Sequence, residues 1–492
     1  MMLVQTSFLL YWSVLTSASA SPAYPQDSAN TVCALIASAI SSASEVFHPG
    51  SSQYTADIAH YSDASTQNST CSVEPGTAQD VGIILQILGK ERTPFAVKGG
   101  GHIMNPGFSS TTGVQVAMSR FSFIQNNPSS GTVDVGAGLI WDDVYQALDG
   151  SGINVVGGRI PGVGVAGLTL GGGYSWKTNQ YGLALDNVAA YELVLPNGTV
   201  TSITNSSGDL WFALRGGSNN FASTPFKDGI VTKFTFLSHP QTDVWGGVIV
   251  FNGTQFDAIS AAVSDFDLNV TDRKAQLIPS YDSADGSFLF GMTLFYDAPT
   301  PPPGIFDAFL TIPALSSDVS TRSFSAFMQS IPGQADGPRT VSILQYTPAF
   351  LQAVQNATQF WSARLAEVEA TILFSINPEP FNTALYRFSP TSPSAYPPTR
   401  SIPLTPLDLT LTWNLPSSDA VMRSTLAQAT AELRTAALRL GQAVEDDFEY
   451  GNYALEGTPV EKIYGANVGR LREIKKQYDP EDVMGLAGGF KL

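Results

Sequence analysis

The earliest clear pattern along the chain is a helical period that breaks into a short strand. Thr77-Ala78-Gln79-Asp80 opens a segment whose apolar positions Val81, Ile84, Leu85 and Leu88 recur at helical spacing, and Gly89 ends it. Phe95-Ala96-Val97 then reads as a strand. Further strands are expected over 114–118 and 132–135, with a helix from Trp141-Asp142-Asp143 to near Gly150. Alternating runs over 191–195 and 200–203 flank Asn197-Gly198, a strong hairpin signal, and Asp209 starts a short helix over 210–214 closed by Arg215-Gly216-Gly217. From about Val244 the β-type runs lengthen, glycines thin out and prolines cluster at 299 and 301–303, so a separate middle domain is expected. Within it, 407–414 alternates strictly. Asp408, Thr410, Thr412 and Asn414 therefore share one face, which either meets solvent or lines a pocket. A long helix with Leu426, Leu433, Ala437 and Leu440 on one stripe follows.

Two stretches break the period because they are mostly glycine. Lys98-Gly99-Gly100-Gly101-His102 ends the first strand, and consecutive glycines there can bring backbone N–H groups up to an anion more closely than residues with side chains. Alone, such a loop is a turn that ends in a histidine. The second stretch runs from Gly157 through Gly162-Val163-Gly164-Val165-Ala166-Gly167 to Gly171-Gly172-Gly173-Tyr174. So many glycines with so few polar side chains imply backbone packed against a flat ligand or against other backbone.

At 492 residues the chain is long enough for roughly two to four domain-sized units and for burying a large ligand. Its net charge of −17, without any basic run, works against a nucleic-acid partner. The apolar stretch 7–15 followed by Ala18-Ser19-Ala20 reads as a secretory signal peptide over 1–20, although its start lacks Lys or Arg. No later run is apolar enough for a membrane span. Cys33 and Cys71 are the only cysteines, and in an oxidising compartment they would form one disulfide. Sequons at Asn68, Asn197, Asn205, Asn252, Asn269 and Asn356 favour secretion independently. His48, His60 and His239 lack partners at metal spacing, so they read as structural and no metal is expected. Neither a Gly-x-Ser-x-Gly elbow nor a Walker loop is present.

Taken in order, Gly99-Gly100-Gly101-His102, the two glycine clusters 162–167 and 171–173, Asp186-Asn187-Val188, Arg215-Gly216-Gly217, Tyr450-Gly451-Asn452-Tyr453 and 464–471 ahead of Tyr478-Asp479-Pro480 give the chain its likeness. It resembles the secreted berberine-bridge-enzyme-like FAD-linked oxidoreductases, within the vanillyl-alcohol-oxidase-type superfamily, over nearly the whole mature chain. The resemblance implies an α+β fold. A PCMH-type FAD-binding domain of two α+β subdomains would span 67–240 after an N-terminal segment 21–66. A substrate domain with a large antiparallel sheet flanked by helices would span 241–444, and a tail over 445–492 would return to the FAD site.

The resemblance also assigns residues. The loop 98–102 would hold the cofactor, with His102 bonded to the flavin 8α carbon. Such a bond makes the flavin a stronger oxidant. Gly107, Gly162, Gly164, Gly167, Gly171, Gly172, Gly173, Asn220, Gly229, Ile230, Val231 and Asn467 would complete the cofactor site. Some relatives carry a second flavin bond from a cysteine whose matching position here is Ile160, so a single link is expected. The family's Asn-Phe normally runs straight into Gly-Ile-Val-Thr, whereas here Asn220-Phe221 and Gly229-Ile230-Val231-Thr232 are separated by an insertion over 222–228. Tyr453 is the expected base, Tyr450 the lesser candidate, and a phenol with an ordinary pKa near 10 would need a neighbour that lowers it. The expected activity is oxidation of an alcohol-type carbon of a small molecule, a secondary metabolite, with O2 as acceptor and peroxide as product, by a monomer. A carbohydrate oxidase and a catalytically silent FAD glycoprotein are the alternatives.

Overall fold

The computed structural model describes residues 26–218, 229–284, 287–333, 339–368, 371–381 and 393–492. The expected signal segment, Asn220 and the insertion 222–228 lie outside the described residues.

Helix Ala78–Lys90 forms where the period placed it. Thr77 Oγ1 caps it by accepting the Asp80 N–H at 3.1 Å, and Val81, Ile84, Leu85 and Leu88 are buried. The helix returns the chain so that strand Phe95–Lys98 lies parallel to Val114–Ala117, itself parallel to Cys71–Glu74. Glu45–Phe47 adds an antiparallel edge to this four-stranded sheet. A disulfide joins Cys33 to Cys71 and so ties helix Gln26–Ala39 to the sheet.

A second sheet of five antiparallel strands follows in the order Ile124–Asn127, Thr132–Gly136, Ile230–Leu237, Val188–Val194 and Val200–Ile203. The Asn197-Gly198 hairpin joins the last two, with Gly198 at φ +86°. The first two sheets share one apolar core.

The stretch from Val244 to Trp413 builds a large antiparallel sheet. Seven strands run in the order Ala314–Ser317, Val244–Asn252, Ser287–Tyr296, Ala275–Ala284, Thr371–Pro378, Thr405–Trp413 and Arg339–Ile343, and Ser320–Arg322 also pairs with Val244–Asn252. Helices Phe256–Asn269, Pro348–Leu365 and Asp419–Arg439 share a core with one face of this sheet, on which Phe374, Ile376, Leu407, Leu409 and Leu411 are buried. The polar alternation is resolved inward rather than to solvent at its first positions. Asp408 and Thr410 are buried, and Ser375 and Asn377 extend that polar face onto the neighbouring strand.

After the last long helix, the chain comes back to the glycine loop. Asn105 Nδ2 donates to the Ala454 carbonyl at 2.9 Å, Ala487 bridges to Phe95, and Phe490 meets Phe108 edge-on at 4.9 Å. A small aromatic cluster joins Tyr174, Phe381 and Tyr396 to the tail residues Phe448 and Tyr450. Among the described residues no helix is long and apolar enough to cross a membrane.

Candidate active site

The two glycine stretches meet backbone to backbone. A Cβ on Gly100 would lie 2.5 Å from Gly164 Cα, and one on Gly164 would lie 2.7 Å from Gly100 N. Glycine is required at both, since any side chain would push the loops apart. Around this crossing lies a cleft of about 1080 Å³, open solvent at its mouth included. Three stretches of chain line it: Val97 and 99–104 with Ser109; Arg159, Ile160, Val163, Gly164, Gly167 and Leu168 with Tyr174; and the tail residues Tyr450, Asn452 and Tyr453, with Ser218 beside them.

Of the residues named from sequence, Gly99, Gly100, Gly101, His102, Gly164, Gly167, Tyr450 and Tyr453 line the cleft. The other described ones lie elsewhere, held by the packing that follows. Lys98 turns away and donates from Nζ to the carbonyls of Ala56 and Asp57 at 2.9 and 3.0 Å. Gly107, at φ +79°, packs against Gly488, and Gly162, at φ +84°, sits behind the His102 ring. Gly171, Gly172 and Gly173 hold the tail rather than the cleft. A Cβ on Gly171 would overlap Asn452 Oδ1 at 1.8 Å, Gly172 is closed off by Tyr396, and the Gly173 N–H donates to Tyr450 Oη at 3.1 Å. Gly229, Ile230 and Val231 pack or pair with Val194 and Leu193. Asn467 donates to the Ala395 carbonyl at 3.0 Å and so latches the tail to loop 393–396.

His102 is well fitted to a cofactor. Its ring stacks on Tyr61 at 4.2 Å between centroids, and its Nε2 is buried with no hydrogen-bond partner among the described residues. Burial pushes its pKa down to about 4, so the imidazole is neutral and its nitrogen lone pair is free at ordinary pH. Gly167, on helix Val165–Leu170, has open space where a Cβ would stand. The Ile160 side of the cleft carries no thiol.

The opposite chemistry is gathered around Tyr453. Its hydroxyl donates to Glu379 Oε1 at 2.9 Å and accepts from Arg159 Nη2 at 2.8 Å, while the same nitrogen reaches both Glu379 oxygens at 2.9 Å. Burial raises the Glu379 carboxyl, with Arg159 pulling the other way. Burial opposes the Arg159 charge, but Glu379 outweighs it and the guanidinium stays protonated. The expectation of a lowered Tyr453 pKa is corrected here. Burial first and Glu379 second hold the phenol well above 10, against the smaller effect of Arg159. Tyr450 also sits above 10 through burial, and its oxygen accepts from Gly173 N–H and Asn452 Nδ2, so it ties the tail to the glycine cluster.

Arg159 and Glu379 were not among the residues named from sequence. Glu379 continues the period-two polar face of Ser375 and Asn377, which is the signal that marks it. Arg159 immediately precedes Ile160 but pairs with a residue 220 positions away, beyond the reach of local pattern.

Residues 69–204 match the family described as FAD binding domain, and residues 449–487 the one described as Berberine and berberine like. An uncharacterized FAD-linked oxidoreductase of Arthroderma benhamiae is 37% identical over 290 residues, a match spanning 58% of this chain and only 56% of that protein. The FAD-dependent monooxygenase tpcD of Cochliobolus heterostrophus is 31% identical over 453 residues, 86% of this chain and 84% of its own length. The solved structure of wild-type Physcomitrella patens BBE-like 1 superposes with a TM-score of 0.74 at 20% identity, covering 92% of this chain and 97% of the other. Fold and cleft together define an FAD-linked oxidoreductase. Within that class, the chain belongs to the berberine-bridge-enzyme-like family.

Proposed function

We propose that this protein is a secreted oxidase of small organic molecules, secondary metabolites, that holds FAD through a single bond to His102. The observation that carries this reading is one cleft lined both by a neutral histidine whose Nε2 has no hydrogen-bond partner among the described residues and by a tyrosine hydrogen-bonded to a buried carboxylate. FAD, when bound, would supply the hydride acceptor, and O2 would be the final electron acceptor, giving H2O2. The chain's own residues manage the proton. A substrate hydroxyl donating to Tyr453 Oη can lose its proton there as the phenolic proton passes to Glu379 Oε1, 2.9 Å away. No free phenolate is needed, so the raised phenol pKa is no obstacle. Arg159 keeps its hydrogen bond to Tyr453 Oη throughout and fixes the direction of transfer.

Secretion is supported by the disulfide and by the exposure of all six sequon asparagines, Asn68, Asn197, Asn205, Asn252, Asn269 and Asn356. Acid precipitation of the secreted protein tests the tether. Yellow flavin should stay in the pellet, and His102→Ala should move it to the supernatant while FAD still binds before acid. Flavin in the wild-type supernatant would exclude the bond to His102. A peroxide-release screen over alcohols, polyketide-like and alkaloid-like compounds and oligosaccharides then separates substrate classes. The monooxygenase name of the Cochliobolus relative adds a second outcome, oxygen incorporation from ¹⁸O2 into product in place of peroxide.

A further inference from the structure

Arg159 holds more donors than its neighbours use. It is 5% exposed, its guanidinium lies 5.3 Å from the centroid of Phe381 and 5.8 Å from that of Tyr174, and its three side-chain hydrogen bonds among the described residues leave from Nη2. Nη1 is buried and has no partner among the described residues. A buried guanidinium N–H without an acceptor is costly, and the cleft that Arg159 lines can bring an acceptor to it. Among the described residues that line the cleft, Arg159 is the only one with a formally charged side chain, in a chain of net charge −17. Its other neighbours in the lining are Ile160, Leu168, Tyr174, Tyr450 and Tyr453, largely flat or apolar surfaces.

Resting on the oxidase reading above, we propose that Arg159 Nη1 is the specificity contact of this enzyme and that it binds an oxyanion conjugated to the flat ring of the substrate, a carboxylate or a phenolate. Guanidinium N–H groups match such oxygens in geometry, and the Tyr174 and Phe381 rings hold the fork in place from one side. The same placement sets the substrate's oxidisable carbon relative to Tyr453, since Arg159 Nη2 already bonds that hydroxyl. A neutral polyol has no counterpart for this contact.

The test uses the purified flavin-containing protein and titration calorimetry with two probe pairs matched in shape, benzoate against benzamide and 4-nitrophenolate against 4-nitroanisole. The anion of at least one pair should bind about tenfold tighter than its neutral partner, as one charge-assisted hydrogen bond predicts, and the pair that shows it tells carboxylate from phenolate. Arg159→Lys keeps the charge beside Glu379 but removes the second nitrogen, and should cancel most of that preference. The double variant Arg159→Met, Glu379→Leu removes the buried pair as a whole and should give the same loss if the single variant folds poorly. Equal affinity within both pairs, equal weakening of anion and neutral probe by Arg159→Lys, or no binding of either anion overturns the proposal and leaves Nη1 to the cofactor. Absence of flavin from the acid pellet, by contrast, bears on the tether alone.

Discussion

At Tyr453 the chemistry depends on a hydrogen-bond direction rather than on a shifted pKa. The hydroxyl points its proton at Glu379 and its lone pair is engaged by Arg159, so a substrate proton can be exchanged through it. Tyr453→Phe should reduce turnover by about 10²-fold or more, the usual range for a positioned proton acceptor, with flavin absorbance unchanged. Full activity in that variant would remove Tyr453 from the mechanism. Gly167→Leu makes a second prediction at this scale. With open space at its Cβ, the new side chain enters the cleft, so purified protein should lose most of its flavin while its circular dichroism stays that of the parent. His102 and Tyr453 were readable because each sits in a short local motif. Arg159 and its pairing with Glu379 were not, because the two lie 220 positions apart and meet only in the fold.

Elements whose period was strong were legible in the chain: helix Ala78–Lys90, the Val188–Val194 and Val200–Ile203 hairpin, and strand Thr405–Trp413 all form within a few residues of their expected bounds. What pattern could not supply was which face each element turns to which partner. Gly171 illustrates this, since it reads as ligand-facing but is glycine because Asn452 fills the space. Gly171→Ala should therefore destabilise the protein by about 1–3 kcal/mol in thermal or urea unfolding, through displacement of the tail. Helix Phe256–Asn269 carries a different liability near its end. Burial raises Asp267 from 3.8 to about 6, with only the Tyr346 N–H opposing the shift. The folded state then binds a proton that the unfolded state releases, so this contribution is complete below pH 3.8 and is lost as pH rises to about 6. Relative to Asp267→Asn, the parent should lose about 1–3 kcal/mol between pH 4 and 7. A parallel pair of stability curves would exclude the assignment.

Across the whole molecule, the first core, the aromatic cluster and a returning tail meet at the cleft, and a disulfide braces the first core. The disulfide Cys33–Cys71 closes a loop of sequence separation 38, and replacing both cysteines with serine should cost about 2–4 kcal/mol of stability in denaturant titration. The family resemblance made this architecture visible from sequence, but not the register by which the tail lands. That register brings Asn105 to Ala454, Phe95 to Ala487 and Gly171 to Asn452, contacts separated by 280 residues or more. It also imposes an order of events in time. Both glycine stretches leave the ribosome hundreds of residues before Tyr450, Asn452 and Tyr453 do, so the cleft has only two of its three walls until Tyr453 has been made. Closure of the site thus requires synthesis past Tyr453, and a product truncated before residue 449 would present its cradle without the wall that carries Tyr453.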